Sequence, residues 1–183
     1  IRLNRLIENL LNMSRLESGR ITPRLDWCDV HDLANKVADT LKQELHPFTL
    51  SVVIPEDMPL VHLDFGLIEQ VLHNLVLNAI QNVQAGSNIR IKFFFDQGFL
   101  TIQVMDRGAG FPAAELASIF NKFYRGKDPK TVGTGLGLSI VKGFVEAHGG
   151  TVIAKNRKNG GAIFIIKIPV KVSDINQSDK HTD

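Results

Sequence analysis

Leu3, Leu6, Ile7, Leu10, Leu11 and Met13 recur at helical spacing with Arg2, Asn4, Glu8 and Asn12 between them, so the chain opens on an amphipathic helix. The pattern is already running at residue 1 and stops at Ser18-Gly19. Such a stripe needs a partner, either the chain's own core or, the favoured of the two, the rest of a helical bundle from which this piece of a longer protein is cut. A linker over residues 21–29, containing Pro23, leads to Asp29, the N-cap of a helix whose Leu33, Val37, Leu41 and Leu45 line one face. "TLSVVIP" and "LVHL" alternate like strands. Asp64 then caps a strong helix from Phe65 to about Val83, with Ile68, Val71, Leu72, Leu75 and Ala79 inward.

"NIRIKFFF" and "FLTIQVM" form a hairpin across Asp96-Gln97-Gly98. A variable stretch follows to Val132, then a helix ending at His148 before Gly149-Gly150. "TVIAKN" and "AIFIIKIPV" close a last hairpin around Asn159-Gly160, and residues 171–183 read as a disordered polar tail. Helices and antiparallel hairpins in this order predict an α+β fold, a two-layer sandwich with helices on one face of a mixed sheet, built by residues 30–170.

Composition removes several function classes. A net charge of +2 without a run of five like charges gives no nucleic-acid footprint. The single cysteine, Cys28, cannot form an intrachain disulfide and suggests no thiolate metal site. Apolar runs such as "AIFII" are too short to span a bilayer.

Three polar groupings interrupt the apolar pattern. In "EQVLHNLVLNAIQN", Asn74 and Asn78 share a helical face, with Gln81 and Asn82 one turn on. A buried amide without a partner costs about 1–3 kcal/mol, so this stripe faces either a polar ligand or solvent. In "VMDRGAGF", Asp106 ends a strand, and Gly108 and Gly110 let backbone approach a ligand closely; an ordinary turn has the same letters. In "TVGTGLGLSIVKGF", Gly133, Gly135 and Gly137 precede a helix, each costing about 0.5–1 kcal/mol relative to alanine once ordered in a regular element. No strand precedes them, no G-K-[ST] follows, and H-R-D and D-F-G are absent, which excludes Rossmann, P-loop and protein-kinase sites. Small residues at a helix start deliver N–H groups where the dipole favours an anion such as a phosphate chain.

An Asn-bearing helix, then D-x-G-x-G, then "FNKFYRG", then G-x-G-L-G-L into a helix resembles the ATP-binding domain of sensor histidine kinases. That domain belongs to the ATPase superfamily shared with gyrase and the heat-shock chaperone. The likeness covers residues 30–170 and implies a Bergerat-type ATP-binding fold. Residues 1–20 resemble the second half of the family's dimerisation hairpin. Trp27 and the "HGG…NGGA" ending resemble the potassium-sensing KdpD-type members.

The resemblance implies ATP and Mg²⁺ as ligands, with Asn78 holding the metal through its amide oxygen. Asn74 stands where gyrase-like relatives carry a water-activating glutamate, which favours transfer over hydrolysis. It further implies that Asp106 accepts from the adenine amine and that Gly108 and Gly110 shape its pocket. Phe120 and Phe123 fall on the family's F-box, with Lys122 and Arg125 as phosphate-facing cations. Gly133, Thr134, Gly135, Leu136, Gly137 and Leu138 would form the lid over the triphosphate. Gln81 and Asn82 stand where relatives have Lys-Tyr or Lys-Phe, Ala162 where they have Thr, and Lys122 where Arg is common, which implies weaker ATP binding. "HDLAN" at His31 lacks the Arg and Pro of the acceptor motif and follows the bundle helix, so the phosphoacceptor histidine is expected upstream of Ile1. The implied partners are a response-regulator receiver domain and a second copy of the protein, in the cytoplasmic portion of a membrane-anchored sensor. An anti-sigma-type serine kinase of the same superfamily, or a non-catalytic interaction module, remains the alternative.

Overall fold

A computed structural model of the chain describes residues 2–19, 21–125 and 134–173, with side chains from residue 6 onward. Gly133 and the expected tail from residue 174 lie outside the described residues.

Helix α1 (Arg2–Glu17) leads to strand β1 (Asp26–Cys28) and helix α2 (Val30–Thr40), followed by a single helical turn, α3 (Lys42–Leu45). Asp29 caps α2, its carboxylate accepting from the His31 N–H at 2.8 Å. Strands β2 (Thr49–Val53) and β3 (Val61–Leu63) precede the long α4 (Phe65–Asn82). Strands β4 (Asn88–Asp96) and β5 (Phe99–Met105) meet at Gln97-Gly98, both at positive φ (47° and 81°), the primed turn that matches strand twist. Helix α5 (Gly137–Ala147) and the hairpin β6 (Thr151–Asn156) and β7 (Ala162–Pro169) complete the fold.

The main sheet runs β2-β4-β5-β7-β6; β2 is parallel to β4 and every other pair is antiparallel. Alternate residues Ile89, Ile91 and Phe93 of β4, Leu100, Ile102 and Val104 of β5, and Phe164, Ile166 and Ile168 of β7 are buried. They form a core with Leu33 and Val37 of α2, Ile68, Leu72 and Leu75 of α4, and Ile140 and Phe144 of α5. Burying each such side chain contributes about 1.5–3 kcal/mol.

Two boundaries differ from expectation. Residues 26–28, read as linker, pair antiparallel with β3, Trp27 opposite His62. On the other side of β3, the His62 N–H donates to Lys171 O (2.9 Å) and the Ser173 N–H to Leu60 O (3.0 Å), so residues 171–173 belong to the fold rather than to the tail. Three-residue strands are too short to show a period, yet each satisfies an edge of β3 that would otherwise be unpaired. The α1 stripe is also divided. Met13 is buried and Leu16 packs on the core, but Leu6, Ile7, Leu10 and Leu11 are exposed.

Candidate functional site

Helix α4 sets the site. Its N-cap is tied three ways: Asp64 Oδ1 accepts from Leu67 N (3.0 Å), Oδ2 from Arg24 N (2.7 Å), and the Asp64 N–H donates to His148 Nε2 (3.2 Å). Four residues apart on the anchored helix, Asn74 and Asn78 each bury an amide nitrogen that has no hydrogen-bond partner among the described residues. Each orphan costs about 1–3 kcal/mol, a cost a folded chain carries where a ligand removes it. The first residue of α5 lies alongside: a Cβ on Gly137 would stand 3.9 Å from Asn74 Oδ1. Among the described residues no side chain caps α5. Its free N–H groups and dipole therefore face the same place as the Asn74 amide.

One turn beyond Asn78, the Asn82 side chain donates back to Asn78 O (2.7 Å). A Cβ on Gly108 would overlap the Asn82 carbonyl oxygen, so only glycine lets the 106–110 segment press on the end of α4. Asp106, 3% exposed, hangs at that junction. Its Oδ1 accepts from Gly108 N (2.8 Å) and Ala162 N (3.0 Å), its N–H donates to Ala162 O (3.1 Å), and Arg157 donates to its carbonyl. Among the described residues nothing donates to Oδ2, which leaves one acceptor for a ligand. From Asn74 to Asn82 the helix rises roughly 12 Å, so one groove has orphan amides and a helix N-terminus at one end and a buried carboxylate at the other.

Asn78 also fits a hard cation. Its buried amide presents oxygen or nitrogen by a half-turn, and oxygen is the donor Mg²⁺ takes. No group of three or more His, Cys, Asp or Glu among the described residues could hold a metal ion. A cation here therefore needs the oxygens of a bound ligand and water.

Residues 64–172 match the family model described as histidine kinase-, DNA gyrase B- and HSP90-like ATPase. The chain belongs to this family. Within this ATPase family it is 38% identical over 167 residues to the sensor protein KdpD of Escherichia coli K12, covering 90% of this chain and 18% of that protein. It is 33% identical over 172 residues to the histidine-protein kinase AfsQ2 of Streptomyces coelicolor, covering 92% of this chain and 31% of that one. The chain thus spans less than a third of these curated relatives. The crystal structure of full-length ShkA in complex with AMPPNP superposes with a TM-score of 0.84 at 26% identity, over 94% of this chain and 36% of that one. The histidine kinase AdeS of Acinetobacter baumannii gives 0.77 at 26% identity, over 91% of this chain and 78% of that one. The fold and the family's catalytic domain are those of sensor histidine kinases.

Not every expected residue of this ATPase domain lies in the groove. Gln81 and Asn82 are exposed, the Asn82 amide spent on its own helix. Lys122, expected toward phosphate, pairs instead with Glu17 of α1 at 2.5 Å, the carboxylate its flexible stem reaches. Phe120 packs edge-on against Phe164 with centroids 6.2 Å apart, whereas Phe123 is 67% exposed at φ 59°. Arg125 is exposed at the end of the described segment. Thr134 Oγ1 accepts from Leu136 N (3.2 Å); Leu136 is buried and Leu138 partly so. Gly135, at φ 71°, brings its backbone against Phe123 and Tyr124, where a Cβ would stand 2.6 Å from Phe123 C. A cavity of about 680 Å³ lies between α1, α5 and residues 120–122; Asn74, Asn78 and Asp106 do not line it.

Three residues that build the Asp106 end were not singled out from sequence. Asn156 clamps the backbone of Phe111, accepting from its N–H (2.8 Å) and donating to its O (2.7 Å). Arg157 holds the Asp106 carbonyl. Gly161 lies so close to that carbonyl that a Cβ would overlap it. Their signal, Asn-Arg before Asn-Gly-Gly, reads as a hairpin connection and gives no hint of a far partner.

Proposed function

We propose that the groove along α4 binds Mg-ATP, and that in the intact protein this domain presents the γ-phosphoryl to a histidine on the dimerisation hairpin. The observation that carries the reading is the pair of buried, unpartnered amides at Asn74 and Asn78, aligned with the open Oδ2 of Asp106. Asp106 accepts from the exocyclic amine of adenine, and Gly108 and Gly110 leave room for the ring. Asn78 would hold Mg²⁺ through its amide oxygen, where the metal would supply charge neutralisation to the phosphates. Asn74 and the α5 N-terminus with Gly135, Gly137 and Leu138 receive phosphate oxygens, joined by Gly133 and Thr134 of the lid and by Lys122 and Arg125. Catalysis is then positioning and charge stabilisation. With asparagine at position 74, no carboxylate stands there to activate water, so transfer is favoured over hydrolysis.

The exposed half of the α1 stripe fits the second helix of a hairpin that pairs two copies of the protein, and residues 26–173 form the ATP-binding unit. The phosphohistidine passes its phosphoryl to an aspartate of a receiver domain. The protein works on the cytoplasmic side of a membrane to which other segments anchor it; no helix among the described residues is long and apolar enough to cross one.

Calorimetric titration tests the nucleotide site. Mg-ATP should bind the wild-type chain, and GTP, with a carbonyl where adenine has its amine, should not. Asp106→Asn should weaken ATP by about 10–100-fold, the equivalent of a charge-assisted hydrogen bond. Equal binding of ATP and GTP, or none of either, would overturn the reading. Radiolabel from ATP should not appear on the isolated chain.

A further inference from the structure

The face of the sheet turned away from α4 carries a grouping that the groove does not use. Side chains alternate along β5, so Met105, its last residue, faces outward next to buried Val104; past the strand end Asp106 is buried and Arg107 exposed. Met105 lies opposite Arg90 of β4. Arg157 reaches the same spot from the end of β6, where it donates to the Asp106 carbonyl. With Asn88, these residues line a solvent-open notch of about 20 Å³. Three arginines line it, and among the described residues no carboxylate pairs with any of them. Among the described residues the side chains of Arg90 and Arg107 have no hydrogen-bond partner, and Asn88 spends its Nδ2 on Ser51 Oγ (2.7 Å).

Three like charges gathered around one recess repel each other unless an anion sits between them. Guanidinium groups are the donors that match the planar and tetrahedral oxygens of carboxylate and phosphate. A notch of this size admits one or two oxygens rather than a whole molecule. We infer that Arg90, Arg107 and Arg157 form a binding site for a phosphate-type oxyanion on the outer sheet face, behind the strand end that carries Asp106. It is separate from any triphosphate in the groove, because the two lie on opposite faces of the sheet. The oxyanion has two sources, free inorganic phosphate or a small phosphomonoester.

The test is an amide-resolved NMR titration of the whole chain with sodium phosphate, and separately with glycerol 3-phosphate, chloride balancing the ionic strength. Saturable shifts should centre on residues 88–90, 105–107 and 157, in the low-millimolar range or tighter. Arg90→Gln removes an exposed side chain with no partner, so it should fold normally and weaken binding about tenfold or more. Arg90→Lys should rescue part of the loss, since the charge returns without the fork. Binding of the ester as well as phosphate supports a phosphomonoester as occupant, and exclusion of the ester supports free phosphate. Shifts confined to residues 74–78 and 134–137, shifts no larger than with chloride, or equal affinity in Arg90→Gln would overturn the inference.

Discussion

The two ends of the groove are built to opposite rules. At the Asp106 end, backbone N–H, carbonyl and one carboxylate oxygen all have partners, and Gly108 and Gly161 pack so closely that no Cβ fits. At the other end Asn74 and Asn78 bury amides with no partner, Lys122 is turned aside to Glu17, and Phe123 stands in solvent. The first end is finished before a ligand arrives. The second is left incomplete, and the free energy withheld there is recovered when polar groups of a ligand enter. A nucleotide that docks its base into the finished end places its phosphates where the unfinished end needs them.

The largest break in that comparison is Gly108→Ala. The added methyl meets the Asn82 backbone, which cannot rotate away, so α4 and the 106–110 segment must part. Chemical denaturation should show a loss of about 1–3 kcal/mol, the usual range for overpacking, with nucleotide binding lost as well. A variant as stable as wild type would show the junction to be soft. The next test sets the two ends against each other. Asp106→Ala strands the N–H groups of Gly108 and Ala162, and should cost stability and ATP binding together, about 1–3 kcal/mol of stability. Asn78→Leu removes an orphan amide from a buried helix face, so the unliganded chain should be unchanged or up to about 1 kcal/mol more stable. Its ATP binding should nevertheless collapse. If both variants lose stability alike, the two ends do not differ.

The finished end was the harder one to see in the sequence. Asp106, Gly108 and Gly110 stand out as D-x-G-x-G, but their partners Asn156, Arg157 and Gly161 lie about fifty residues on, in a turn whose letters announce only a hairpin. Hydrogen bonds over that separation leave no local period. The Asn74–Asn78 pair was legible because helical spacing places i and i+4 on one face, and amides amid Leu and Val contradict an apolar pattern. The core strands and helices were legible for the same reason, since their burial follows periods of two and 3.6. The three-residue strand at 26–28 and the pairing at 171–173 were not, because their place depends on the free edges of β3. The side chain of Lys122 went astray for another reason: a long exposed side chain takes the nearest opposite charge, and α1 supplied one.

That ion pair gives a smaller effect. Both side chains are about half exposed, so the pair contributes at most about 1 kcal/mol, and Glu17→Gln should scarcely move the unfolding midpoint. Titration calorimetry should instead show ATP binding unchanged or slightly tighter, since Lys122 is released toward the groove. Weaker binding would mean that the α1 contact supports the phosphate end rather than competing with it.

The smallest effect reads the hinge of that end directly. Tyr124, the only tyrosine in the chain, donates its hydroxyl to Glu115 and so ties the two sides of the turn that ends beside Gly135. Burial, then the hydrogen bond to Glu115 and its charge, push the phenol up to about 12 from an ordinary 10.0. A raised pKa means that the folded state holds the proton more tightly than the unfolded state, so the contribution is fully present below pH 10.0 and is lost as the pH rises toward 12. Tyr124 is partly exposed, so solvent screening keeps the stability term small. The phenolate absorbance is nonetheless clean with a single tyrosine. Wild type should titrate near pH 12, and Glu115→Gln, which keeps an acceptor but removes the charge, should fall between that value and 10.0. A wild-type midpoint at the ordinary value would show that the turn is open in solution, and the unfinished end would then lack even its hinge.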